Sequence, residues 1–123
     1  MAKKDAKTKI VYDSEEDILH LSRGRKVQAS IEIGDFIVDV DTKGFISGIE
    51  ILDASERLGI PLDYLKNISE ASMAVTYKPN LVYLRVVFAF GGVAERPIVS
   101  IPIQLDLGHG SASVEEAEVF NAV

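Results

Sequence analysis

Carboxylates are the most numerous chemically able residues of this 123-residue chain, and two short stretches bring several of them close in sequence. Asp13, Glu15, Glu16 and Asp17 crowd one stretch; Asp39 and Asp41 share the other. Carboxylate oxygens in such number suit a hard divalent cation, Mg²⁺ or Ca²⁺. Asp13, Asp17, Asp39 and Asp41 are the candidate metal ligands. Their order is not that of an EF-hand loop, which needs ligands at alternating positions, a central glycine and a late glutamate. The same aspartates also suit turns, where a short carboxylate accepts from nearby backbone N–H groups. Both readings stand at this level.

Catalytic arrangements find less support, and no catalytic residue is assigned. Glu50 and Asp39 offer a carboxylate pair for acid–base work, but nothing in their spacing fixes a separation or supplies a nucleophile. Ser55, in Asp53-Ala54-Ser55, would need a neighbouring base. The two histidines, His20 and His109, lie far apart in sequence. Cysteine is absent, which excludes disulfide frameworks, thiol catalysis and cysteine-based zinc sites. Gly91-Gly92 lacks the following lysine and helix start of a phosphate loop. No cofactor is expected.

Arg23, Arg25 and Lys26 form a small basic tip. With Lys3, Lys4, Lys7 and Lys9 they are the candidate contact for RNA, DNA or a ribosome. A net charge of −6 opposes a dominant phosphate-binding surface, so nucleic acid is the lesser expectation. Val114, Val119 and Phe120, in the C-terminal tail, are the candidate partner-binding residues.

The elements that must position these groups follow from periodicity. At 47% hydrophobic and 26% charged, the chain has the composition of a folded domain. Its length suffices to bury about two-thirds of the unfolded surface. Apolar and polar residues alternate over Lys9–Tyr12, Ile18–Leu21, Val27–Ile33, Phe36–Val40 and Phe45–Leu52, so five short strands in an antiparallel meander are expected. Ser22–Lys26 then reads as a hairpin loop. Asp53 begins a helical stretch as N-cap, with Glu56 completing a capping box. Gly59 ends it, and Pro61–Lys66 forms a second turn of helix with Leu58, Leu62 and Leu65 as its apolar stripe. Strand character returns at Met73–Tyr77, Leu81–Phe90 and Ile98–Leu105. Pro102 lacks an amide donor, which puts the last of these at an edge or gives it a bulge. Ser113 and Glu116 make a second capping box and predict a short acidic helix over Val114–Asn121.

Two runs in the first half carry a resemblance. Tyr12-Asp13-Ser14-Glu15-Glu16-Asp17-Ile18-Leu19 resembles the opening motif of DUF2283, a small prokaryotic domain family of unknown function. Ile37-Val38-Asp39-Val40-Asp41, then Gly44, then Gly48-Ile49-Glu50-Ile51-Leu52-Asp53-Ala54-Ser55 resembles its closing strand and helix start. The resemblance covers about residues 9–66 and implies a small β-rich domain with one helix and no assigned activity.

The expected fold is α+β, mainly antiparallel sheet, with a short helical segment between two β-units. Residues 1–9 are read as a flexible basic arm, 10–67 as the DUF2283-like meander plus helix, 68–107 as a β-rich extension sharing its core, and 108–123 as a flexible acidic tail. No stretch has the length of a membrane span, and the start lacks a signal-peptide core. The expectation is a cytoplasmic, non-enzymatic module that binds proteins or assembles as a homo-oligomer, a homodimer being the commonest form.

Overall fold

The period-two runs become strands, but their order is not a meander. In the computed structural model, which describes residues 8–92 and 97–121, β1 (Lys9–Asp13), β2 (Ile18–Ser22), β3 (Val27–Ile33), β4 (Phe36–Asp41) and β5 (Ile46–Ile51) form one antiparallel sheet. Their spatial order is β1-β2-β5-β4-β3. Strands β2 to β5 are therefore in Greek-key order. Arg23–Lys26 is a crossover to the far edge, not a hairpin loop. Two ties hold it across the end of the sheet: the Arg23 N–H donates to the Ser47 carbonyl at 2.7 Å, and Arg25 Nη1 donates to Asp41 Oδ2 at 3.1 Å. Lys3, Lys4 and Lys7 of the expected basic arm lie outside the described residues.

Two short helices follow, α1 (Ala54–Leu58) and α2 (Leu62–Leu65). The second half then builds its own antiparallel sheet from β6 (Ile68–Lys78), β7 (Leu81–Phe90) and β8 (Pro97–Asp106), with β9 (Ser111–Val114) and β10 (Glu118–Asn121) along the outer edge of β8. With ten strands and helices of only five and four residues among the described residues, the fold is β-dominated, and α+β describes it loosely. The two sheets share one core. Leu19, Leu21, Phe36, Val38, Ile49 and Ile51 of the first meet Met73, Leu84, Val86, Phe88, Ile101 and Ile103 of the second. Polar ties cross the same gap. The Ile46 N–H donates to the Tyr77 hydroxyl oxygen at 2.8 Å, and the Arg23 guanidinium donates to the Met73 carbonyl. Leu58 and Leu65 of the helices are buried as expected, whereas Leu62 is exposed and Ile60 takes the buried position.

The expected C-terminal helix is strand. Ser111–Val114 pairs with Ile103–Asp106, and Glu118–Asn121 pairs with Pro97–Ser100. Both strands satisfy the backbone groups on the open side of β8, which a free-standing capping box cannot do. The tail strand is broken in two where it passes Pro102. Proline has no N–H to give the ladder, its carbonyl accepts from the Glu115 N–H at 2.9 Å, and pairing resumes at Glu118. So β8 is not an edge strand, and the missing donor is expressed as an interruption in its neighbour.

Candidate functional site

The opening motif folds into a tie between the β1–β2 turn and α1. Asp17 sits in the left-handed region at φ 56°. Its carbonyl accepts the Ala54 N–H at 2.9 Å. Its carboxylate accepts the Ser55 N–H at 3.1 and 3.2 Å, the Ser55 hydroxyl at 2.6 Å and the Tyr12 hydroxyl at 2.6 Å. Asp17 thus caps α1 from 38 residues away. Asp53, the expected N-cap, is itself left-handed at φ 51° and makes no side-chain cap bond. Burial alone would raise the Asp17 carboxyl, but the bonds from Ser55 and Tyr12 outweigh it and hold the group below the usual carboxylate range. The Tyr12 hydroxyl is pushed well up, by burial first and then by the adjacent carboxylates of Asp17 and Asp13. In this geometry Ser55 Oγ is a donor to a weakly basic carboxylate, and no imidazole stands beside it to activate it.

The Tyr12 shift has a measurable sign. A folded-state value above the ordinary 10.0 leaves stability intact below pH 10 and removes it as pH rises beyond. Tyr12→Phe is expected to cost about 1 kcal/mol at neutral pH and to flatten the alkaline limb of stability. Urea midpoints of both proteins at neutral pH and above pH 10 check this; equal slopes would contradict it.

A second polar set crosses the outer face of the first sheet. Gly48 of β5 stands in register opposite Asp39 of β4. Having no side chain, it lets Asp39 reach over β5 to His20 of β2, Nε2 to Oδ2 at 3.2 Å. Ser30 Oγ of β3 donates to Asp39 Oδ1 at 2.8 Å. The residue types are those of a serine-hydrolase triad, but the order is not. The carboxylate stands between serine and histidine, whereas nucleophile activation needs the imidazole between the other two. Glu50 lies in register with His20 on one side and Ile37 on the other.

The remaining candidate ligands serve turns. Asp13 Oδ1 accepts the Glu15 and Glu16 N–H groups at 3.0 and 3.1 Å. Asp41 is buried and accepts the Lys43 and Phe45 N–H groups at 2.9 and 3.0 Å as well as Arg25. Burial opposes its ionisation, and these donors overcome that and keep it below the usual range. Asp13 and Asp17 lie at one turn, Asp39 and Asp41 on β4. Among the described residues no three His, Asp or Glu side chains gather as a metal-holding group. Asp106 caps the turn that carries His109: its Oδ1 accepts the His109 N–H at 3.1 Å, and its Oδ2 lies 2.9 Å from His109 Nδ1. Lys26, the third residue of the basic tip, is exposed on the crossover.

Residues 9–55 match the family model described as "Protein of unknown function (DUF2283)". An uncharacterised protein of Methanocaldococcus jannaschii is 33% identical over 82 residues, which are 65% of this chain and 71% of that protein. The chain belongs to the DUF2283 family. Every member of the Tyr12–Asp17–Ser55 tie lies inside the DUF2283 match, as does the whole first sheet. A second relative, from Methanosarcina mazei, is 39% identical over 62 residues and is provisionally named a hypoxanthine phosphoribosyltransferase; the match covers half of each chain. No solved structure matches.

Among the described residues β1, β3 and β6 are edge strands of their sheets, and two surfaces of this DUF2283 chain stand out as uncovered. One is β3, whose residues Val27–Glu32 are all exposed. A meander would have placed β3 in mid-sheet, and no residue in its sequence marks it as an edge. The other lies on the outer face of the second sheet. Phe120 pairs with Ile98 there, and both are exposed. The face continues into an open groove of about 630 Å³ lined by Tyr83, Arg85 and Pro102 with Glu115 and Glu118 at its side. Of the expected partner-binding residues, Phe120 lies on this face. Val119, paired with Val99, is exposed; Val114, paired with Ile103, packs against the core.

No helix among the described residues is long and apolar enough to cross a membrane.

Proposed function

We propose that this DUF2283 chain is a non-enzymatic assembly module that works as a homodimer. One observation carries the reading. Ile31 of β3 pairs with Val38, whose side chain is in the core, so it points to the side on which the sheets pack, yet it is 48% exposed. The sheet extends there beyond what the second sheet covers, and a half-bare apolar edge is a surface that natural proteins pair or protect. The carboxylates that a metal or acid–base reading would use, Asp17, Asp39 and Asp41, are each engaged by two or more donors from the chain itself. The transferase name of the Methanosarcina mazei relative is not extended to this chain, since only half of that protein is matched. Light scattering coupled to size exclusion at micromolar concentration tests the proposal. The expected result is twice the chain mass; the single-chain mass across the concentration range would refute it.

A further inference from the structure

We infer that the dimer forms by antiparallel pairing of β3 with β3 of a second copy about a twofold axis at Ser30, making one continuous ten-stranded sheet. The inference rests on the homodimer reading above and adds where and in what register the copies meet. Three observations lead to it.

The first is which backbone groups are free. The β3–β4 hairpin closes through the two-residue turn Gly34-Asp35, with Ile33 opposite Phe36. A two-residue hairpin closes on a hydrogen-bonded pair, and pairs in an antiparallel ladder then alternate. Ile33, Ile31 and Ala29 therefore turn their N–H and C=O groups to β4, while Glu32 and Ser30 turn theirs to the open side. The Ser30–Asp39 contact at 2.8 Å agrees, because side chains approach more closely in a non-hydrogen-bonded pair. The second is composition. The seven residues of β3 carry a single charge, Glu32, and no lysine or proline guards the edge. The opposite edge of the same sheet, β1, has Lys9 and Asp13 at its two ends.

The third is self-complementarity. Paired residues must share a face, which limits the twofold registers. With Ser30 on the axis, each Ile31 covers the Ala29 of its mate on the inner face. Each Glu32 opposes a Gln28, the residue at which β3 bulges against β4, and the exposed Lys26 of the mate precedes that strand by one residue. The two Glu32 carboxylates are kept apart. Shifting the axis to Glu32 sets like charges face to face, which is unfavourable.

The chain has no cysteine, so one introduced thiol reports a single position. In the full chain, Ser30→Cys is expected to convert the dimer to a covalent dimer under mild oxidation, and Val11→Cys on β1 is not. Ser30→Pro removes an N–H that points to the open edge, not to β4, and is expected to halve the mass in solution with an unchanged far-ultraviolet spectrum. A dimer that Ser30→Pro leaves intact, or that cross-links through Val11→Cys, overturns the β3 interface while leaving self-association standing. A wild-type monomer overturns the dimer reading itself.

Discussion

Asp17→Ala is expected to destabilise the fold by about 3 kcal/mol, roughly 10 °C in Tm for a domain of this size. The substitution removes the acceptor for Tyr12, the Ser55 N–H and the Ser55 hydroxyl at once, and charge-assisted bonds are the strong ones. It also places a Cβ-bearing residue without a polar side chain at φ 56°, which costs about another 1 kcal/mol. Asp17→Asn separates these causes. Asparagine tolerates the left-handed region and keeps one acceptor oxygen, so about half the loss is expected. The acid limb gives the sign of the charge contribution. The Asp17 carboxyl titrates below its ordinary 3.8, because the Ser55 and Tyr12 bonds outweigh burial. Its stabilisation is therefore present above that pH and is lost as pH falls through the folded-state value. Denaturant midpoints from neutral pH into the acid range should fall more steeply for the wild type than for Asp17→Asn. Parallel profiles would show that the tie contributes nothing through its charge.

Gly48→Ala is the second large effect, expected at about 2–3 kcal/mol. An added Cβ would stand 2.8 Å from the Leu21 carbonyl oxygen and 3.1 Å from Asp39 Oδ2. The carbonyl belongs to the neighbouring strand in mid-sheet and cannot move without disturbing the β2–β5 ladder. The carboxylate can swing away, at the expense of its contact with His20. A double-mutant cycle with Asp39→Ala divides the two parts. Relief of a minority of the cost in the double variant is expected, since the backbone clash remains. Full relief would mean that only the carboxylate was in the way.

Strands were legible in this sequence because alternation is a local property; their neighbours were not. The five runs from Lys9 to Leu52 fit a meander as well as a Greek key, and the choice turns on where four residues, Arg23–Lys26, cross the end of the sheet. That crossing depends on Asp41 and Ser47, far along the chain. The misreading moved β3 from edge to centre and hid the surface that now matters most. Local capping rules failed twice for one reason. At Asp53 the cap arrives from Asp17 instead, and at Ser113 the open side of β8 recruits the backbone into a ladder. In both places a distant group offers better partners than the neighbouring side chain. The aspartates drew attention as ligands. Of the four, Asp13 bonds within its own turn, whereas Asp17, Asp39 and Asp41 tie separate parts of the fold together. The family motif was recognisable in the sequence. The reason Tyr12, Asp17 and Ser55 belong to it was not, since 38 residues separate the last two.

Each sheet is made from one unbroken half of the chain, and this bears on synthesis. When the last residue of β5 has left the ribosome, the first sheet can already pair all its strands. Leu19, Leu21, Phe36, Val38, Ile49 and Ile51 then face water until β7 and β8 arrive to cover them. At about 5–20 residues per second, the roughly fifty residues still to be made leave that apolar face bare for several seconds. The nascent chain passes through a stage at which the two helices and Met73 of β6 offer only partial cover, and a chaperone or the first sheet of a neighbouring nascent copy can occupy the rest.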